Sequence, residues 1–446
     1  MQASHTITTC YPGLAPYFPH IEDSLCGEPV TGIEFFCGLG GLSFAFQLAN
    51  GKLVLCVNHD KQAIASHKLN FREAEHLLAS VEQLDMNSLS DAEVLFGSPE
   101  CTNQTRARGK TLKGRRQLGL WTDRHGLTPE DQSRASMWQM FEAARAKAKQ
   151  GRPFKILFIE NVVEAATLWG DYEDWVASIK ALGYEYRALF QNAMFFGVPQ
   201  SRNRYLGVFW LKELPTPQLD FRPRAYCSNC DEIVAAIQRW KPGKNKGEYG
   251  AQYDYRCPHL ACTREVVPFF RPAASFLDFT DRGIPIGERN QHHLRQLCPN
   301  TLRRIQAGIG AFFNQPQVIP AQAYDIPSAL PAPHELPFWI KYNRNGKAYS
   351  IFTPICTVSS KDRCAVVFPP PGWTFADGLP RLQDCGYRML TEREVQAAMC
   401  LQHLQIAAGA RTVAQCGLAV PPPLAIIPLL ECMRILRQPP STARVA

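Results

Sequence analysis

Cys101 stands in the stretch GSPECTNQTRARG, just beyond an apolar run that reads as a strand, in a polar and basic loop. Such surroundings lower a thiol pKa, and the thiolate is the nucleophilic form. Glu160 ends a later apolar run, FKILFIENV, so a thiol and a carboxyl group stand at successive strand ends. Together they suit nucleophilic attack coupled to proton donation. A third feature is the turn Cys37-Gly38-Leu39-Gly40-Gly41 after Phe36, between a strand-like TGIEFF and a helical LSFAFQLANG. Backbone N–H groups at such a helix start favour the carboxylate or phosphate of a nucleotide-like ligand. Asn58, His59 and Asp60 close the next strand, KLVLCV, at the edge where ribose hydroxyls and an adenine ring lie in doubly wound sheets. Finally, Cys227-x2-Cys230 and Cys257-x4-Cys262, separated by 26 residues, have the arrangement of a tetrahedral structural zinc site. His259, inside the second pair, is the alternative to one of the four thiolates.

These groups need a scaffold that gathers strand ends. Apolar strands alternating with amphipathic helices over 31–210 predict a doubly wound, mostly parallel, Rossmann-like α/β sheet covered on both faces. Residues 1–30 read as a loosely held lead-in. From 211 to 345 prolines and paired cysteines replace the βα alternation, which predicts a second, smaller, irregular domain. Residues 346–436 return to strand and helix patterns, and 437–446 form a polar tail. The 446 residues carry 48 Lys+Arg against 40 Asp+Glu, a mild basic bias compatible with an anionic partner. A hydrophobic content of 46% excludes a mostly disordered chain. The apolar stretch AVPPPLAIIPLL is cut by prolines, short of the ~18 residues of a membrane span. With no secretory pattern at its start, the chain is expected to be soluble and cytoplasmic, without a membrane partner. Most of its 16 cysteines lie singly among apolar neighbours, as buried reduced thiols do.

In order along the chain, EFFCGLGGLS, IENV at 159–162, FGVPQSRNR at 196–204, PICTVSSKDR at 354–363, RMLTEREV at 388–395 and QCGLAVPP at 415–422 resemble the motifs of the DNA cytosine 5-position methyltransferases that use S-adenosylmethionine. The resemblance implies a methyltransferase sheet. It places Phe36, Cys37, Gly38, Leu39, Gly40 and Gly41 on the cofactor, Asn58 and His59 on its ribose and adenine, and Asp85 on the adenine amino group. Pro99, Ala419 and Val420 complete the implied cofactor set. Cys101 becomes the nucleophile that adds to carbon 6 of cytosine, Glu160 the acid at ring nitrogen 3, and Arg202 and Arg204 the pair that organises the site and holds the base. Loss of the carbon 5 proton after methyl transfer then expels the thiolate. The base must leave the duplex stack for any of this to happen. The sequence departs from the family pattern in three places. Glu100 separates Pro99 from Cys101, Asn58 replaces a ribose-binding Glu, and Leu418 follows Gly417 where Asn is usual.

The expected partner is double-stranded DNA, bound by a monomer. Arg106, Arg108, Lys110, Lys113, Arg115, Arg116 and Arg124 follow the nucleophile directly, where the family has a loop that closes over the flipped base. Seven cations there predict a clamp on the phosphate backbone, mobile in the free protein and salt-sensitive in its affinity. The middle segment, where relatives keep target recognition, adds Lys241, Lys244, Lys246, Arg256, Arg264 and Arg271 as possible phosphate contacts. The same chemistry on tRNA, or a DNA-binding descendant that no longer turns over, are the alternatives at this stage.

Overall fold

The computed structural model describes residues 27–100, 129–342, 346–361 and 363–438, with residues 7, 11 and 25 before them and 129–135 by backbone alone. Five strands run parallel: β1 (Val30–Phe35), β2 (Gly51–Asn58), β3 (Glu75–Leu78), β4 (Val94–Gly97) and β5 (Ile156–Asn161). They are joined by β6 (Tyr184–Asn192) and β8 (Asn203–Leu211), with the two-residue β7 (Gln200–Ser201) between. The seven-stranded order is β3-β2-β1-β4-β5-β8-β6, and β8 runs antiparallel to both its neighbours.

Strands β1, β4 and β5 at the centre are almost wholly buried, which is why they read as continuous apolar runs rather than alternations. Register aligns Val57, Phe35, Gly97, Ile159 and Gly207 in one row across the sheet. The residues just past that row form its carboxyl edge: Asn58, Phe36, Ser98 and Glu160. Sequence-distant chemistry is thereby brought to one rim.

Helices α1 (Gly41–Leu48), α2 (Lys61–Asn70), α3 (Pro129–Lys149), α4 (Val163–Thr167) and α5 (Tyr172–Ala181) cover the sheet. Asp60 starts α2 as an N-cap, its carboxylate accepting from the backbone of Gln62 and Ala63.

The middle segment begins with β9 (Arg224–Cys227) and β10 (Glu232–Ala235), a hairpin, then β11 (Ile237–Trp240), β12 (Tyr253–Arg256) and β13 (Glu265–Val266) in a three-stranded sheet. An aromatic cluster docks it on the main sheet. Phe190 meets Trp240, and Phe195 meets Tyr249 and Tyr255, all edge-on.

A separate apolar core lies under a five-stranded sheet of β14 (Ile284–Pro285), β15 (Phe338–Lys341), β16 (Ala348–Ser350), β18 (Cys364–Phe368) and β19 (Gly386–Met389). Ile305 and Ile309 of α6 (Pro299–Phe312) fill it against Phe338, Ile340 and Val367. This sheet takes strands from both sides of position 346, so the expected boundary there runs through a folded unit.

Between them β17 (Ile355–Cys356) pairs in parallel with β7, a two-stranded ladder separate from the seven-stranded sheet. Helices α7 (Glu392–Ala398), α8 (Thr412–Leu418) and α9 (Pro422–Arg437) close the fold. Residues Thr412–Arg437 do meet the length and hydropathy of a membrane span, contrary to the expectation from their prolines, but 72% of that apolar window is buried inside the protein. It is core: α9 lies against α1.

Candidate functional site

The turn after β1 is built from backbone conformations that side chains disfavour. Phe36 has φ 59°, Gly38 φ 53° and Gly40 φ 98°. A non-glycine residue held in the left-handed region is characteristic of ligand-binding turns. Gly40 and Gly41 also allow close approach. A Cβ on Gly40 would lie 2.3 Å from the Phe71 ring, and one on Gly41 would lie 2.0 Å from the carbonyl oxygen of Val420. The glycine turn and the segment after α8 therefore meet backbone to backbone, which brings Ala419 and Val420 beside the turn. Cys37 and Leu39 are buried beneath it.

Under this turn lies a polar chain that sequence reading missed. Glu34, buried in β1, hydrogen-bonds Ser43; Ser43 Oγ is 3.0 Å from His67 Nε2, and His67 Nδ1 is 2.8 Å from His76 Nε2. Burial pushes the Glu34 carboxyl up to about 8 against the opposing Ser43 hydrogen bond. It pushes His67 down to about 3. Burial thus disfavours the charged form of both groups. The polar chain's one sequence signal was a glutamate amid Ile33, Phe35 and Phe36.

At the rim of β2, Asn58 Oδ1 accepts the backbone N–H of Asp60 at 2.8 Å. His59 Nδ1 lies 3.4 Å from Glu100 Oε1, the two side chains 59% and 42% exposed. Asp85 turns back on its own loop, accepting from the backbone and side-chain amides of Asn87. Pro99 is buried, and its carbonyl accepts Asn161 Nδ2 at 3.2 Å.

Glu160 is 6% exposed at the end of β5, and its Oε1 meets Arg204 Nε at 2.8 Å. The pair forms because Glu160 on β5 faces Leu206 on β8, and Arg204 stands two residues along the same face. A carboxyl group fixed by a guanidinium at the mouth of the sheet can hand a proton to, or hydrogen-bond, a planar base edge.

Arg202 does something different. Its guanidinium donates to the carbonyls of Val358 (2.8 Å), Gly417 (3.1 Å) and Ala419 (3.2 Å) and is 2% exposed. It stitches together two late segments, whereas Arg204 turns to Glu160 on the rim. Gln200 makes a parallel set of ties, donating to the carbonyl of Ala398 and accepting from the backbone of Val358. Leu418 points outward, 68% exposed, while the backbone on either side of it serves Arg202.

Cys101, Arg106, Arg108, Lys110, Lys113, Arg115, Arg116 and Arg124 lie outside the described residues. The chain leading to them is fixed by the Pro99 tie and by Ser136 Oγ, which donates to the Glu100 carbonyl at 3.2 Å. Among the middle-segment cations, Lys246 is paired with Glu173, Arg256 with Asp254 and Arg271 with Asp325. Those three are engaged within the protein rather than presented to phosphates.

The four middle-segment cysteines converge. Cys227 Sγ lies 3.6 Å from Cys262 Sγ, Cys230 Sγ lies 3.8 Å from Cys257 Sγ, and all four sulfurs fall within 4.8 Å of one another. Each pair sits on a tight turn closed by a residue with positive φ, Asp231 at 56° and Thr263 at 46°. His259 instead reaches Glu232, Nδ1 to Oε1 at 3.1 Å.

A mainly parallel sheet with one reversed strand, a glycine turn and a carboxylate–arginine pair on a common rim defines a methyltransferase-like α/β protein. Residues 30–260, more than half of the chain, match the family described as C-5 cytosine-specific DNA methylase, and the chain belongs to that family. It is similar to the type II methyltransferase M.AgeI of Thalassovita gelatinovora, 28% identical over 182 residues, which are 39% of this chain and 37% of that protein. Similarity to M.HhaI of Haemophilus parahaemolyticus is 25% over 201 residues, 44% of this chain and 54% of that one. The chain spans about half the length, or less, of the curated relatives it matches. A crystal structure of a Spodoptera frugiperda DNMT2 mutant is 14% identical, with a TM-score of 0.48 over 92% of this chain and 100% of that one.

Proposed function

We propose that this protein transfers a methyl group from S-adenosylmethionine to carbon 5 of cytosine in duplex DNA, as a monomer, through a transient covalent bond to Cys101. The observation that carries the reading is the Glu160–Arg204 pair, held at 2.8 Å on the rim that also bears the glycine turn. Carbon 5 of cytosine is a poor nucleophile until a thiolate adds at carbon 6. Protonation at ring nitrogen 3 by Glu160 accepts the charge that this addition develops, and Arg204 holds the base against rotation. Arg202 keeps the two late segments closed over the rim, and Asn161 anchors the strand end from which the Cys101 loop departs. The target base reaches this rim only when flipped from the duplex. The basic stretch 106–124 then closes on the phosphates, so affinity falls steeply with salt.

The test is to incubate the protein with S-adenosylmethionine and either duplex DNA or tRNA containing 5-fluorocytosine, whose fluorine cannot leave as the carbon 5 proton does. A denaturation-resistant adduct is expected with DNA. An adduct with tRNA alone moves the substrate assignment, and an adduct with neither leaves a non-catalytic nucleic-acid binder.

The middle module holds a structural zinc ion on Cys227, Cys230, Cys257 and Cys262. Zn–S bonds of about 2.3 Å in a tetrahedron place sulfurs about 3.8 Å apart, close to the 3.6 Å and 3.8 Å of the two sulfur pairs. The engagement of His259 with Glu232 favours four thiolates over a histidine ligand. A strong chelator is expected to release one zinc per chain, measured by elemental analysis, and to open 224–266 to protease while the catalytic sheet stays resistant. An unchanged cleavage pattern in metal-free protein would argue against the site.

A further inference from the structure

At the end of β2 the Oδ1 atoms of Asn58 and Asp60 are engaged locally. Asn58 Oδ1 accepts the N–H of Asp60, and Asp60 caps α2 through Oδ1, at 2.7 Å from the Gln62 nitrogen and 3.1 Å from that of Ala63. Asp85 is folded onto Asn87. Glu100 arrives at the same edge from another direction. It follows β4, which flanks β1 on the side opposite β2, and its carboxylate reaches across the end of β1 to within 3.4 Å of His59. The end of β1 is where the glycine turn begins. Glu100 therefore spans the crevice in which doubly wound sheets hold a nucleoside, half exposed and within reach of a ligand placed there.

We infer that Glu100 is the ribose-binding carboxylate of the cofactor site, supplied from β4 in place of the group that Asn58 cannot offer. A carboxylate presents two acceptor oxygens and no donor, the complement of a vicinal 2′,3′-diol, and such charge-assisted bonds are the strong ones. His59, between the ends of β2 and β4, orients the carboxylate. The residue that sets Cys101 apart from Pro99 thus belongs to the cofactor rather than to the base. This inference rests on the methyl-transfer reading, because it takes an adenine nucleoside as the ligand of the crevice.

The experiment is calorimetric titration of the full chain with S-adenosylhomocysteine and with its 2′-deoxy analogue, neither of which turns over. The wild type is expected to prefer the ribose form by roughly 10- to 100-fold, the range of a hydrogen bond to a charged group. In Glu100→Gln that preference shrinks to about threefold or less, through weaker binding of the ribose form alone. Glu100→Asp is read in the same way and gives an intermediate preference, which keeps the test decisive should the glutamine variant not fold. Full wild-type discrimination in both variants overturns the assignment. Failure of the wild type to bind S-adenosylhomocysteine at all overturns the cofactor reading itself, a different outcome on the same instrument.

Discussion

Alanine at position 101 is expected to lower methyl transfer to duplex DNA by at least about four orders of magnitude, roughly 5 kcal/mol of barrier, and to abolish the 5-fluorocytosine adduct. The size follows from the chemistry. Without addition at carbon 6 there is no enamine, and carbon 5 has little tendency to attack a methyl sulfonium. Among the described residues at the rim none replaces a thiolate; Cys37 is buried beneath the turn, and burial raises its pKa. The approach to Cys101 supports the assignment. Gly97 pairs with Ile159, the residue before Glu160, so the chain leaves β4 beside Glu160. Binding of S-adenosylhomocysteine should stay within about twofold of wild type, since the nucleophile meets the base. Transfer of labelled methyl groups at more than about 1% of the wild-type rate would falsify the role.

Replacing Glu160 by glutamine is expected to cut the rate roughly 10²- to 10⁴-fold, the usual share of a positioned acid. The amide keeps the size of the side chain and an oxygen for Arg204, so the pair at 2.8 Å persists in weaker form. What it loses is the proton it hands to ring nitrogen 3. Single-turnover kinetics should therefore show slow adduct formation with unchanged cofactor affinity. If binding fell and the rate at saturation did not, Glu160 would be a structural partner of Arg204 and no acid.

Much of the site was legible because its residues lie at ends of strands that are apolar throughout. Ile33, Val57, Phe96 and Phe158 mark the runs, and Asn58 and Glu160 stand where two of them stop. The cysteine spacing likewise announced a cluster. What could not be read was side-chain direction. Arg202 and Arg204 are two residues apart in one motif, yet one turns to backbone carbonyls and the other to a carboxylate. Nor did spacing reveal that Lys246 and Arg271 are already paired, since Glu173 and Asp325 lie far away in sequence. The stretch PICTVSSKDRCAVVF holds two strands, β17 paired with β7 and β18 in the five-stranded sheet. Only long-range pairing distinguishes them.

The bonds of Arg202 go to carbonyl oxygens at 358, 417 and 419, which every amino acid possesses. A change of side chain at 358, 418 or 419 leaves those acceptors in place, whereas Gly417 is held to glycine by the Ser359 backbone, 2.1 Å from where its Cβ would lie. Searches for distant kin of this enzyme class gain more from asking whether a buried arginine faces bare peptide oxygens than from asking which letters follow it.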